Sequence, residues 1–166
     1  LEAYGLDNQV VLVWDMPEGG SFDSDDLTFV DGTFEDAIMM SSGTSVMGTF
    51  FDMPYGVEEA NANTCSIWGE PGFSGLTTLY GYSISAGLPQ GDALYETQIT
   101  LQEGQWNDIN LGWAFSGDFL LALEISTTVG LGIDSDNAPS QYSWANLGGW
   151  QPWTEVAYEY GLTDGE

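Results

Sequence analysis

The chain contains no lysine, no arginine and no histidine, against 26 aspartates and glutamates. An ordinary domain is about a quarter charged, so roughly 20 basic residues would be expected at that rate. Their absence removes whole classes of chemistry. Without histidine there is no Ser-His-Asp or Cys-His catalysis and no histidine-bearing zinc site. Without lysine there is no Schiff base, and without either base there is no phosphate clamp. Nucleic acid is excluded as a partner, because phosphate binding needs basic groups. Anionic membrane surfaces are excluded for the same reason. No side-chain salt bridge can form, so each carboxylate must face water, accept a hydrogen bond or meet an inorganic cation.

Two further scarcities narrow the reading. The single cysteine, Cys65, cannot form an internal disulfide, and its setting in NTCSIW reads as a buried structural thiol. No apolar run approaches the length of a membrane-spanning helix, so membrane insertion is not expected. What is present suits a packed core: 43% of residues are hydrophobic and 14% aromatic. Acidic disordered tails are poor in aromatics, so this is not one of them. The 166 residues read as a single domain over 1–166.

Short apolar runs recur between Gly, Ser, Thr, Asn and Asp, the pattern of an all-β chain. Strands are predicted at NQVVLVW (8–14), LTFVD (27–31), SVMGTFFDM (45–53), LTTLYGYSIS (76–85) and ALYETQITLQ (93–102). Further strands follow at QWNDINLG (105–112), GDFLLALEIS (117–126), VGLGID (129–134), QYSWAN (141–146) and EVAYEY (155–160). In the fifth, Tyr95, Thr97, Ile99 and Leu101 share one face while Glu96, Gln98 and Thr100 take the other. About ten strands at this spacing predict an antiparallel, jelly-roll-like β-sandwich. Residues 54–75 are the least regular, GVEEANANT reads as a loop, and no convincing helix is found.

Two clusters offer hard oxygens for calcium: Asp23, Asp25 and Asp26, and then Asp134, Asp136 and Asn137. Neither is an EF-hand. Both also read as solvated turns, since Asp, Asn and Ser bond their own backbone. In a chain with no cation of its own, the second cluster fits calcium as well as it fits a turn. Of the seven tryptophans, Trp144, Trp150 and Trp153 fall within ten residues. Exposed rings there would stack on sugars, with nearby carboxylates or amides holding hydroxyls; buried rings would fill core or interface. Trp14, Trp106 and Trp113 read as core or rim. Carboxylate pairs for glycoside hydrolysis are poorly supported. Glu35–Asp36 and Glu58–Glu59 are neighbours that a strand points to opposite faces, and Glu96 and Glu124 lie on separate strands.

The ordered series ALYETQITLQEGQWNDINL, SGDFLLALEIS, VGLGIDSDNAPSQYSW and GGWQPW resembles a jelly-roll-like β-sandwich domain. Such domains occur beside fibronectin type III modules in large secreted proteins of Bacteroidetes and Cloacimonetes type. Residues 1–17, LEAYGLDNQVVLVWDMP, resemble the opening strands of a fibronectin type III module and read alternatively as a donated or swapped strand. The resemblance implies a non-catalytic, extracellular or cell-surface module. The leading expectation is a structural subunit of a secreted filament or surface assembly that self-associates or joins neighbouring modules, with calcium bridging its charge. The other expectation is a carbohydrate-binding or adhesion module of a larger secreted protein, with polysaccharide as partner.

Crowded carboxylates without cations should hold raised native pKa values, so mild acid should stabilise the fold. Carboxylates bound to calcium should behave oppositely. Melting temperature measured across pH 4–7, with and without EDTA, separates the two: a rise on acidification that EDTA leaves unchanged is the outcome expected of unbridged charge.

Overall fold

A computed structural model describes residues 2–6, 9–13, 36–53, 57–133 and 142–160. In chain order its strands are β1 (Glu2–Leu6), β2 (Gln9–Val13), β3 (Asp36–Ile38), β4 (Ser45–Phe51), β5 (Glu59–Gly69), β6 (Gly75–Ser85) and β7 (Leu88–Pro89). They continue with β8 (Tyr95–Leu101), β9 (Gln105–Ser116), β10 (Phe119–Ile125), β11 (Leu131–Ile133), β12 (Ser143–Asn146) and β13 (Trp150–Pro152), and one helix, α1 (Trp153–Tyr160), follows. Among the described residues every strand pairing is antiparallel. The larger sheet runs β13-β12-β4-β10-β6, with β7 and β8 both paired to β6; the smaller runs β3-β11-β5-β9. From β3 to β13 the chain passes repeatedly between the two sheets, as a jelly-roll-like sandwich requires. The hairpin β1-β2 forms a two-stranded sheet of its own.

Side-chain alternation explains why the sheets stack. On β8 the polar set, Glu96, Gln98 and Thr100, is exposed, while Leu101 is buried and Tyr95 and Ile99 pack against the core. The inter-sheet core joins Leu79, Leu101, Phe119 and Leu123 of the large sheet to Ile67, Trp113 and Phe115 of the small one. The Phe115 and Phe119 rings stack at 4.3 Å, and Phe51 stacks on Phe119 at 4.9 Å. Tyr95 lies flat on Trp113 at 5.3 Å, and its hydroxyl donates to the Ala114 carbonyl at 2.7 Å. Each such buried ring contributes on the order of 1.5–3 kcal/mol by removal from water. Strand β10 is buried on both faces, which is why FLLALEI is nearly continuous in apolar character.

Two segments depart from the sequence expectation. Residues 59–69, expected within a loop, form the long strand β5 paired to β9. Its register slips between Ala62 and Thr64, opposite Gly112, whose φ is +64°. Ala60 and Ala62 pack on the core before the slip, Cys65 and Ile67 after it. The bulge therefore changes the phase of an alternation already weak in apolar residues. Residues 155–160, expected as a strand, belong to helix α1. A strand would put Val156 and Tyr158 on one face; instead Trp153, Val156 and Ala157 are buried at helical spacing and Tyr158 is 90% exposed. Pro152, which has no N–H to lose, precedes the helix, and Glu155 lies in its first turn. The helix covers one end of the sandwich, packing on Met47, Ile125 and Ala145.

The large sheet also curls. Tyr82 on β6 and Trp150 on β13 are separated by β10, β4 and β12. In a flat sheet four strand spacings would hold their backbones about 19 Å apart. Their rings meet edge to face at 5.1 Å, so the face turned away from the inter-sheet core is concave. Gly48 and Ala122 are paired in the middle of this sheet. A Cβ on Gly48 would fall on the Leu121 carbonyl oxygen and against Ala122. The substitution Gly48→Ala should therefore cost about 1–3 kcal/mol as an overpacking change, measured as a lower urea midpoint with an unchanged slope.

Candidate functional site

The concave face collects aromatic and acidic side chains from segments far apart in the chain. Strand β6 supplies Tyr80, Tyr82 and Ile84, β4 supplies Val46 and Phe50, β12 supplies Trp144 and β13 supplies Trp150, all packed with Leu120 and Ala122 of β10. Period-two alternation makes this possible: residues 119, 121, 123 and 125 of β10 face the core side, which leaves 120, 122 and 124 for the opposite face. Tyr80 and Tyr82 lie 6.1 Å apart with rings tilted by 41°, and Tyr82 meets Trp150 as described. Leu120 is wholly buried beneath these rings, whereas Tyr80, Trp144 and Trp150 stay partly exposed.

Carboxylates flank the rings. Glu96 of β8 pairs directly across from Tyr80, and the Tyr80 hydroxyl donates to Glu124 Oε2 at 3.4 Å. Burial pushes the Tyr80 phenol above its ordinary pKa, and the Glu124 and Glu96 charges add to this against an opposing Thr78 hydrogen bond. Burial likewise raises Tyr82, with Tyr80, Asp92 and Glu96 adding to it. Both phenols therefore remain neutral donors through the physiological range. The partly exposed rings of Tyr80 and Trp150 thus lie beside carboxylate and phenol oxygens. The Trp144 Nε1 donor is buried with no partner among the described residues.

Of the three tryptophans expected to form a sugar platform, Trp144 and Trp150 share this face. Trp153 does not. It is 1% exposed and packed with Met47 and Ile125 on the other side of the sheet, so it cannot stack on a ligand. The turn from β13 into α1 sends it there. The calcium candidates Asp23, Asp25, Asp26, Asp134, Asp136 and Asn137 lie outside the described residues. Among the described residues no three metal-ligating side chains gather. Trp113 is core and Trp106, at 44% exposure, is rim; Trp14 lies outside the described residues. Tyr80, Tyr82, Glu96 and Glu124 were not expected as a site. Their alternation was readable in LYGYSIS and LYETQ, but nothing local says that β6 lies between β8 and β10.

Elsewhere the chemistry is sparser. An open depression of about 450 Å³ is lined by Ser74, Thr100, Gln102, Glu103 and Gln105 among others. Its one carboxylate, Glu103, already accepts the Gly72 N–H. Cys65 packs against the core, where burial pushes its thiol up to about 11, so it is no nucleophile at neutral pH. No helix among the described residues is long and apolar enough to cross a membrane. Comparison with protein-family models, with curated proteins and with solved structures returned no match. The class rests on the fold itself: an all-β antiparallel sandwich.

Asp52 sits where its charged form is disfavoured. Burial raises the Asp52 pKa above 3.8, and the Asp118 charge adds to the shift. Asp118 is itself held by the Met53 N–H at 2.9 Å. A raised carboxylate binds its proton earlier in the folded state, so stability grows as pH falls through the folded pKa and levels off below the ordinary value. The variant Asp52→Asn should melt higher than wild type at pH 7, and the gap should close toward pH 4; both are read from thermal melts.

Proposed function

We propose that this domain is a non-catalytic, extracellular carbohydrate-binding module that holds polysaccharide on the concave face of its large sheet. The observation that carries the reading is the convergence of the partly exposed Tyr80 and Trp150 about the buried Tyr82, drawn together across five strands and bordered by Glu96 and Glu124. Aromatic rings offer an apolar surface to the C–H face of a sugar, and oxygen acceptors orient its hydroxyls. The extracellular setting follows from the resemblance to domains of secreted proteins. Lack of any Lys or Arg also removes every cleavage site for proteases that cut after those residues, an advantage outside the cell.

A second reading, a filament subunit growing by strand addition, is favoured by a different feature. Strand β9 spans twelve residues and, among the described residues, pairs only with β5. It contains no proline, though Asp108 and the register slip at Gly112 partly guard it against edge pairing. A charge of −26 opposes such packing unless inorganic cations bridge the copies.

Pull-down on insoluble polysaccharides and a glycan array test the first reading. Wild type should be retained, and Trp150→Ala should lose at least about tenfold in affinity, as expected of a stacking hot spot, with its circular dichroism unchanged. A folded wild-type chain that binds no polysaccharide, or a Trp150→Ala chain that binds as well, refutes it. Large polymers in the ultracentrifuge would favour the filament.

A further inference from the structure

We infer that the concave face selects a glycan bearing free amines, a polymer of amino sugars, over neutral or acidic glycans. This rests on the sugar-binding reading of the same face and specifies its substrate class. Three carboxylates surround the two tyrosines: Glu96 across from Tyr80, Glu124 at the Tyr80 hydroxyl, and Asp92 close enough to Tyr82 to act on its phenol. No lysine, arginine or histidine exists anywhere in the chain to neutralise them. Glu124 has a phenol and Glu96 is exposed, so neither is matched by an opposite charge. A protonated amine on the ligand supplies the missing cation.

The rings favour the same ligand. Tyr80 and Trp150 stay partly exposed on either side of the buried Tyr82, whose ring lies 6.1 Å from Tyr80 and 5.1 Å from Trp150, and an ammonium over a tyrosine or tryptophan face is attracted by its quadrupole. A sugar with an amino substituent joins both contacts in one residue: its C–H face lies on the rings while its ammonium reaches a carboxylate. Uronic and sulfated glycans are disfavoured by the same arrangement, since the face offers them no basic group and the chain repels them with a charge of −26.

Calorimetry with a β-1,4-linked glucosamine hexamer and its fully N-acetylated counterpart, at mildly acidic pH, isolates the amine because the two share linkage and length. The free-amine hexamer should bind about tenfold more tightly, the sum of two or three partly exposed ion pairs, and added salt should erode the difference. The double variant Glu96→Gln/Glu124→Gln should shrink the difference between the two hexamers severalfold, and an unchanged difference overturns the inference. Equal binding of both hexamers by wild type, or tighter binding of the acetylated one, overturns the inference and leaves the sugar-binding reading standing. Binding of neither hexamer, together with retention on a neutral polysaccharide, also overturns the inference alone. Binding of no glycan at all removes both.

Discussion

Twenty-six carboxylates must be accommodated without one cationic side chain, and the architecture answers that constraint at every level. Where carboxylates meet the protein they accept hydrogen bonds: Asp118 from the Met53 amide, Asp108 from the Ser66 hydroxyl, Glu103 from the Gly72 amide, Glu124 from the Tyr80 phenol. Such bonds satisfy the anion and leave its charge in place. Cohesion therefore falls to apolar and aromatic packing, which does not depend on charge balance. The stack of Phe51, Phe119 and Phe115 and the Tyr95–Trp113 pair bind sheet to sheet where another protein would add ion pairs.

The same constraint gives the concave face its character. The curl of the large sheet brings Tyr82 to Trp150. The acids on neighbouring strands have only phenols, amides and water to meet. An aromatic hollow with an acidic border is the consequence. The other face of the same sheet packs into the sandwich core, so both faces bury apolar side chains, and only the concave one leaves Tyr80, Trp144 and Trp150 partly exposed.

How much of this was legible varied with how local the signal was. The alternation of β8 is carried by its own residues, so the face shared by Tyr95, Thr97, Ile99 and Leu101 is legible in the sequence, and the structure turns Tyr95, Ile99 and Leu101 of that face to the core. Strand β5 was hidden because its bulge breaks the period and its inward residues include two alanines; only pairing with β9 defines it. Helix α1 was hidden by a short segment whose tyrosines alternate as a strand's would, while its burial follows helical spacing. Trp150 and Trp153 are three residues apart and equivalent in composition, yet the turn into α1 buries one under the sandwich and leaves the other on the concave face.

By itself, then, the sequence determined the all-β class, the approximate strand set and the exclusion of every chemistry that needs a basic group, because these follow from composition and from periods of two residues. The tertiary structure decided which strands are neighbours, which way the large sheet curls, and that Tyr80, Tyr82, Glu96 and Glu124 share a face with Trp150. Sheet order arises from pairings between residues tens of positions apart. No local pattern encodes them.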